Sequence, residues 1–294
     1  MMKTFKDAIH TQEFVLTAEL LLAPDSDAAS IIEQARVLGP HVDAILVTEN
    51  QYGAIHMSPL AAASILIHEG VDAILQLSAC NRNRAALIGD MLGARAAGIT
   101  SLQLVQGKKM PDSYQPQPMQ VTDLGVDELI ATADVINEDA QITGASEFLI
   151  GGAAKAHSPK ADWSAPRLVG KVDAGAKFIH TQLCFDLKVL RSFVAELVAI
   201  KLVRRCSVIA DMAALPSADS ARWLRENLSH IMIPGKIIQR LKAAVAPEQE
   251  GIQICSEYLQ KISTIPGIAG ANLIANGNPA MTVEAIKASG LRGG

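Results

Sequence analysis

Several features that mark common functional classes are scarce in this sequence. Aromatic residues make up only 4% of the chain, which argues against the stacking platforms that bind single-stranded nucleic acid. The 26 Lys and Arg residues do not outnumber the 30 Asp and Glu residues, and they form no basic stripe. We therefore expect neither nucleic acid nor an anionic membrane surface as a partner.

Cysteine is also scarce, and its spacing excludes further classes. The four cysteines are Cys80, Cys184, Cys206 and Cys255. None belongs to a C-x-x-C pair, so the spacing indicates neither a zinc site nor a redox motif, and four residues over this length make no disulfide framework. We expect buried, reduced thiols in a cytoplasmic protein.

Long apolar runs are absent as well. The most apolar helical stretch, Phe193–Val203, is interrupted by Glu196 and Lys201 and is too short to cross a bilayer. The first residues, MMKTFKDAIHTQEF, contain no apolar segment of the kind that signal peptides have. We expect no membrane contact.

What the sequence does have is eight short apolar runs in a chain that is 49% hydrophobic and mainly aliphatic. Such runs are typical of parallel strands that are covered on both faces. The predicted strands are Phe14–Glu19, Asp43–Thr48, Asp72–Leu77, Ser101–Val105, Glu147–Gly151, Lys177–Gln182, Ser207–Asp211 and Gly270–Ala275.

Helical patterns lie between these runs. The predicted helices are Asp27–Leu38, Ser58–His68, Arg82–Ala97, Leu187–Val203, Ser217–Leu228, Gly251–Ile262 and Val283–Ala288. Regular alternation predicts an α/β fold, a (β/α)8 TIM barrel, with residues 1–294 as a single barrel domain. An open doubly wound sheet is the alternative, but no G-x-G-x-x-G motif follows any strand.

Polar residues follow the predicted strands, at the face where a barrel carries its chemistry. In chain order they are Glu19, Thr48-Glu49-Asn50, Gln76, Gln106-Gly107-Lys108, Gly151-Gly152, Thr181-Gln182, Asp211 and Asn276. This ring contains neither a hydrolytic triad nor a metal-ligand cluster, so we predict no metal site. Its amides suit flat heterocycles with mixed donor and acceptor edges, such as pterins and flavins.

Glu19 ends a strongly apolar strand. An apolar setting favours the protonated form of a carboxyl group, which suits a general acid near neutral pH. A partly exposed residue without a chemical role is the alternative interpretation. The longest irregular stretch, Lys108–Asp123, contains three prolines, and we expect it to be a lid or a ligand-binding loop.

The segment 171–186, KVDAGAKFIHTQLCFD, is the most informative in the chain. Gly175 supplies the backbone freedom that a tight turn from helix to strand requires, and Gln182 falls at the top of the strand. The segment closely resembles the methylenetetrahydrofolate reductase family. VTENQ (47–51) with MSPLA (57–61), LQLS (75–78) with NRNR (81–84), and IPGI (265–268) resemble segments of that family's branch in acetogens and related bacteria.

The resemblance implies an oxidoreductase that interconverts 5,10-methylenetetrahydrofolate and 5-methyltetrahydrofolate, with NAD(P)H as co-substrate and FAD along the top of the barrel. It implies that Glu19 protonates the folate N10 and that Gln182 contacts the pterin and the nicotinamide in turn. The positions that match flavin-binding residues are Thr48, Gln76, Gly107, His157 and Lys171. The expected partners are a small-molecule folate and, in a homo-oligomer, further copies of this chain.

The main departure from the family lies at Lys108, where the family has an Asp that meets the pterin. A cation here would favour the anionic reduced flavin and would remove an acceptor from the folate site. Gln106 replaces an Arg, and another expected Arg corresponds to Asn276 or Gly277. Three alternatives therefore stay open: FMN in place of FAD, a flavin-independent folate reductase, and a non-catalytic folate- or flavin-binding subunit of a redox complex.

Overall fold

The computed structural model of the chain is a closed barrel of eight parallel strands in the order β1 to β8. It describes residues 4–11, 14–50, 53–139, 147–160, 162–228, 231–275 and 277–292. The strands are β1 Val15–Leu20, β2 Ala44–Val47, β3 Ala73–Ser78, β4 Ser101–Val105, β5 Leu149–Ala154, β6 Phe178–Thr181, β7 Ser207–Ala213 and β8 Ile268–Ile274.

Helices surround the barrel on the outside. They are α1 Phe5–Thr11, α2 Ala28–Leu38, α3 Pro59–His68, α4 Arg84–Ala96, α5 Val126–Glu138, α6 Pro166–Asp173, α7 Leu187–Ala199, α8 Ala218–Asn227, α9 Gly235–Ala243, α10 Pro247–Ser263 and α11 Pro279–Ser289. Short 3-10 turns at Gly39–His41 and Leu202–Arg204 precede β2 and β7. No helix within the described ranges has both the length and the apolar character needed to cross a membrane.

The structure confirms the TIM barrel and all eight predicted strands, with ends that differ by up to three residues. The predicted helices do not include α1, α5, α6 and α9, because α1, α6 and α9 are short and α5 follows the long loop; of α6 only the end before the Gly175 turn was expected. The irregular loop is also confirmed: residues 106–125 contain neither helix nor strand. All four cysteines are buried and free, as expected.

The first helix closes the lower end of the barrel. Phe5 of α1 is fully buried in an apolar cluster with Val15, Leu149, Phe178 and Ile209 inside the barrel. Its ring meets that of Phe178 edge-on, with centroids 5.1 Å apart. The carboxylate of Asp72 accepts the Phe5 backbone N–H at 2.5 Å, which anchors the start of α1. Apolar side chains therefore fill the lower end of the barrel among the described residues.

Two glycines matter for how β6 enters the barrel. Gly175 has φ of +122°, and a Cβ there would lie 2.7 Å from Cγ of Asp134, so the predicted need for glycine in this turn is confirmed. Gly151 on β5 leaves room for the ring of Phe178, because a Cβ would lie 2.3 Å from that ring. Both positions set the height at which Thr181 and Gln182 emerge from the barrel.

Candidate active site

A cavity of about 700 Å³ opens at the carboxyl ends of the strands. That volume falls within the range of small-molecule sites. Seven of the eight predicted site residues line it: Glu19, Thr48, Gln76, Gly107, Lys108, Lys171 and Gln182. Residues from strands far apart in sequence thus meet in one place, because parallel strands of a barrel all end at the same face.

Two carboxyl groups lie at the floor of the cavity. Glu19 on β1 is 7% exposed, and the side chain of Asp211 on β7 is 13% exposed. Burial, reinforced by the nearby Glu19 charge, raises the pKa of Asp211 well above its ordinary value. The floor therefore retains a proton to higher pH than an exposed carboxyl group would, which favours proton transfer to a ligand above it.

A polar layer lies in the barrel beneath this floor. His180 and Asn272 are completely buried, and the Thr17 hydroxyl donates to Oδ1 of Asn272 at 2.9 Å. His180 Nδ1 lies 3.6 Å from Oδ1 of Asp211, and burial lowers the pKa of His180 to about 3, so the imidazole is neutral at physiological pH. Asp211 was expected at a strand end from the sequence, but without a chemical role.

The wall formed by β2 and β3 carries a charge pair that the sequence analysis did not identify. Glu49 accepts from Nη2 of Arg82 at 2.5 Å and from the backbone N–H of Ser78 at 2.7 Å. These contacts neutralise the Glu49 carboxylate and fix the loop after β2. Thr48 is 6% exposed, and its hydroxyl has no hydrogen-bond partner among the described residues. A buried hydroxyl of this kind is suited to bind a ligand in the cavity.

The loop after β4 forms one rim of the cavity. Gly107 has φ of +80°, and a Cβ there would lie 2.4 Å from Sγ of Cys80 and 2.9 Å from Cβ of Ser78. Packing against the end of β3 and the loop that follows it therefore requires glycine at this position. Lys108 borders the cavity at its exposed rim, and partial burial lowers the pKa of its ammonium group.

Lys171 and Gln182 lie beside the ends of β5 and β6. Lys171 sits in the last turn of α6, and its ammonium group donates to the carbonyl of Ala153 at 2.7 Å while it lines the cavity. Burial lowers the pKa of Lys171. The Gln182 backbone N–H donates to the carbonyl of Ala154 at 2.9 Å, which ties the residue to the end of β5 and fixes its position above β6.

His157 is the predicted site residue that does not line the cavity. Its ring packs edge-on against Trp163 at 4.7 Å between centroids and lies 5.4 Å from the ring of Phe193. Its Nδ1 lies 3.2 Å from the carbonyl of Lys155. In this structure His157 belongs to an aromatic cluster beside the loop after β5.

The arrangement can bind a flat polar ligand, supply cations at two sides and deliver a proton from the floor. Within the described ranges, no group of three or more His, Cys, Asp or Glu side chains is placed to hold a metal ion. A closed (β/α)8 barrel with such a cavity at the carboxyl ends of its strands places the chain among TIM-barrel proteins.

Comparison with known proteins narrows this class. Residues 5–288 match the family model described as methylenetetrahydrofolate reductase, so the chain belongs to that family. It is 27% identical over 220 residues to a protein of Caenorhabditis elegans named probable methylenetetrahydrofolate reductase (NADPH). That match covers 70% of this chain but only 31% of the relative, so the chain spans about a third of the relative's length.

The similarity of this chain to solved structures concerns the fold alone. The chain is similar to oxaloacetate acetylhydrolase, with a TM-score of 0.55 and 9% identity over 97% of this chain and 83% of that one. It is also similar to 2,3-dimethylmalate lyase, a member of the PEP mutase/isocitrate lyase superfamily. There the TM-score is 0.50 and the identity 12%, over 91% of this chain and 76% of that one.

Proposed function

We propose that the protein is a methylenetetrahydrofolate reductase that interconverts 5,10-methylenetetrahydrofolate and 5-methyltetrahydrofolate with a nicotinamide as co-substrate. The observation that carries the proposal is that Glu19 and Gln182, matched to the family's motifs, line one cavity above β1 and β6. Family membership and the distant reductase relative support the same reaction. The segments around Thr48 and Gln76 favour the acetogen-like branch.

In the reductive direction the reaction consumes one hydride and one proton. Glu19 donates the proton to folate N10, the bond from the methylene carbon to N10 breaks with its electron pair on N10, and the resulting iminium carbon accepts the hydride. A mostly buried carboxyl group at the floor of the cavity is well placed for this transfer. Gln182 would hold the pterin through amide hydrogen bonds and would then hold the nicotinamide at the same place.

The cavity residues fit a flavin. The unpartnered Thr48 hydroxyl and the amide of Gln76 can bind polar edges of the ring, and Lys171 offers an ammonium group to a phosphate. A bound flavin would carry hydride between nicotinamide and folate, which requires the two substrates to bind in turn. FAD is the proposed cofactor, and we assign its binding to Thr48, Gln76, Gly107 and Lys171. The position of His157 outside the cavity gives no support to its predicted role.

Lys108 bears on the direction of the reaction. A cation at the cavity rim stabilises negative charge on a reduced ligand nearby and favours electron uptake by the protein. Oxidation of methyltetrahydrofolate is therefore the second direction that we propose, and the Lys108 position is the observation that favours it.

The proposal is tested on the purified full-length chain by an absorbance spectrum and by turnover in both directions. We expect a yellow protein with a flavin band and folate-dependent oxidation of NADH or NADPH. A colourless protein that still transfers hydride would establish the flavin-independent alternative. A coloured protein that turns over only with a co-purifying partner would identify a subunit of a redox complex. Absence of folate binding and of turnover in every preparation would refute the proposal.

A further inference from the structure

The strand register places the floor carboxyl groups and the polar layer below them in one connected set. Asn272 on β8 is the register partner of both Thr17 on β1 and Asp211 on β7. Glu19 lies two residues beyond Thr17 on the same face of β1, and it lines the cavity together with Asp211. The two carboxyl groups therefore line one cavity from either side of β8, and the charge of Glu19 acts on Asp211.

Among the described residues, the other groups that face Asp211 from the neighbouring strands carry no positive charge. From β6 the facing titratable group is His180, which is neutral, and β8 brings the uncharged amide of Asn272. On the outer face of β7, α10 packs against the strand, and its Cys255 and Tyr258 belong to the same apolar cluster as Ala210 and Met212. The described cations that line the cavity are Lys108 and Lys109 from the loop after β4 and Lys171 from α6.

We propose that Asp211 is a positioning residue for the folate reaction, which shares one proton with Glu19 across the cavity floor. After Glu19 has given that proton to N10, Asp211 takes up the replacement proton from solvent and passes it to Glu19. The inference rests on the proposed function. Two buried carboxyl groups in one cavity cannot both ionise without an electrostatic cost, so the pair retains one proton to higher pH than a single group would.

The proton balance is simple. The Glu19 carboxyl gives its proton to N10 as the bond to the methylene carbon breaks, and the electron pair of that bond stays on N10. A proton from solvent then enters at the Asp211 carboxylate and passes to the Glu19 carboxylate, so that the pair again holds one proton. The hydride comes from the reduced nicotinamide of the proposed function. The polar lumen supports this transfer, because Oδ1 of Asp211 and both His180 ring nitrogens are buried without hydrogen-bond partners among the described residues, and such atoms bind internal water.

The first experiment is the pH profile of folate turnover in the Asp211→Asn variant. In the wild type the shared proton extends activity toward alkaline pH. In the variant Glu19 must hold its proton alone, so the alkaline limb should move to lower pH by about one unit or more, with activity near neutral pH falling roughly tenfold. The nicotinamide half-reaction should keep its pH profile. An equal loss of activity at every pH, with the alkaline limb of the profile unchanged, would show that Asp211 has only a structural role. That result would overturn the inference.

The matched control is Asp72→Asn, which removes another buried carboxyl group at the opposite end of the barrel. This variant should leave the alkaline limb of the pH profile of folate turnover in place. If the wild type shows no folate turnover at all, the proposed function fails, and the proton-sharing pair is still tested by the second experiment.

The second experiment is infrared titration of the purified protein without substrate. The carbonyl band of a protonated carboxylic acid should persist at mildly alkaline pH, where Asp72 is already ionised because its pKa is about 6. The band should vanish in Asp211→Asn and should titrate at lower pH in Glu19→Gln, where the repelling charge is gone. The titration of the Glu19→Gln variant tests the inference even if the Asp211→Asn variant does not fold. No band in the wild type, or a titration unchanged in Glu19→Gln, would overturn the inference.

Discussion

At the scale of single residues, Glu19 carries the strongest chemical expectation. Replacing it by Gln keeps the size and polarity of the side chain but removes the exchangeable proton. Folate turnover should fall by roughly 10²–10⁴-fold, the usual contribution of a general acid. Steady-state assays measure the loss, and folate affinity and the nicotinamide half-reaction serve as internal controls that should change little. Turnover near that of the wild type would remove Glu19 from the mechanism.

A second prediction for a single residue concerns Gln182. If the folate and the nicotinamide occupy the same place above β6 in turn, Gln182→Ala should weaken both by about 1–3 kcal/mol, the cost of a buried polar group left unpaired. The kinetics of each half-reaction measure the two effects separately. Gln253→Ala, on the exposed face of α10, is the matched control and should change neither. An effect on one substrate alone would contradict a shared site.

At the scale of elements, the packing of α1 shows that this helix closes the lower end of the barrel. Phe5→Ala should lower the free energy of unfolding by about 3–5 kcal/mol, because it leaves a cavity against Phe178 at the base of the barrel. Chemical denaturation measures the change. His10→Ala, on the exposed side of the same helix, should stay within about 0.5 kcal/mol of the wild type. Equal stabilities for the two variants would show that α1 does not close the barrel.

At the scale of the whole molecule, Asp72 makes stability depend on pH. Burial raises its pKa from 3.8 to about 6, although the hydrogen bond from the Phe5 N–H acts in the opposite direction. The folded state therefore holds this proton more tightly than the unfolded state. As pH rises from about 4 to 6, the unfolded chain loses the proton first, and the free energy of unfolding falls by up to roughly 3 kcal/mol.

Asp72→Asn removes this titration. The difference in free energy of unfolding between the wild type and the variant should fall as pH rises through that window and should stay constant above it. Urea denaturation at several pH values measures both proteins. Parallel curves for the two proteins across the window would contradict a raised pKa at Asp72.

The sequence by itself determined the barrel and the face on which the predicted site residues meet. Short apolar runs and helical periods are local patterns, so they specify the eight strands without knowledge of their partners. Once the strands are parallel and closed, Glu19 and Gln182 must come to the same face, since both lie at the carboxyl ends of strands. The turn at Gly175 could be predicted locally from the glycine between a helix and a strand, although the contact with Asp134 of α5 that also excludes a side chain there could not.

The tertiary structure decided the features that depend on packing between distant segments. Gly107 is required because Cys80 and Ser78 approach it from another loop, and His157 is held away from the cavity by Trp163 and Phe193. The meeting of Asp211, His180 and Asn272 beneath the floor depends on the register of β6, β7 and β8. Register between strands is set by the closed barrel as a whole, so no single segment of the sequence contains it.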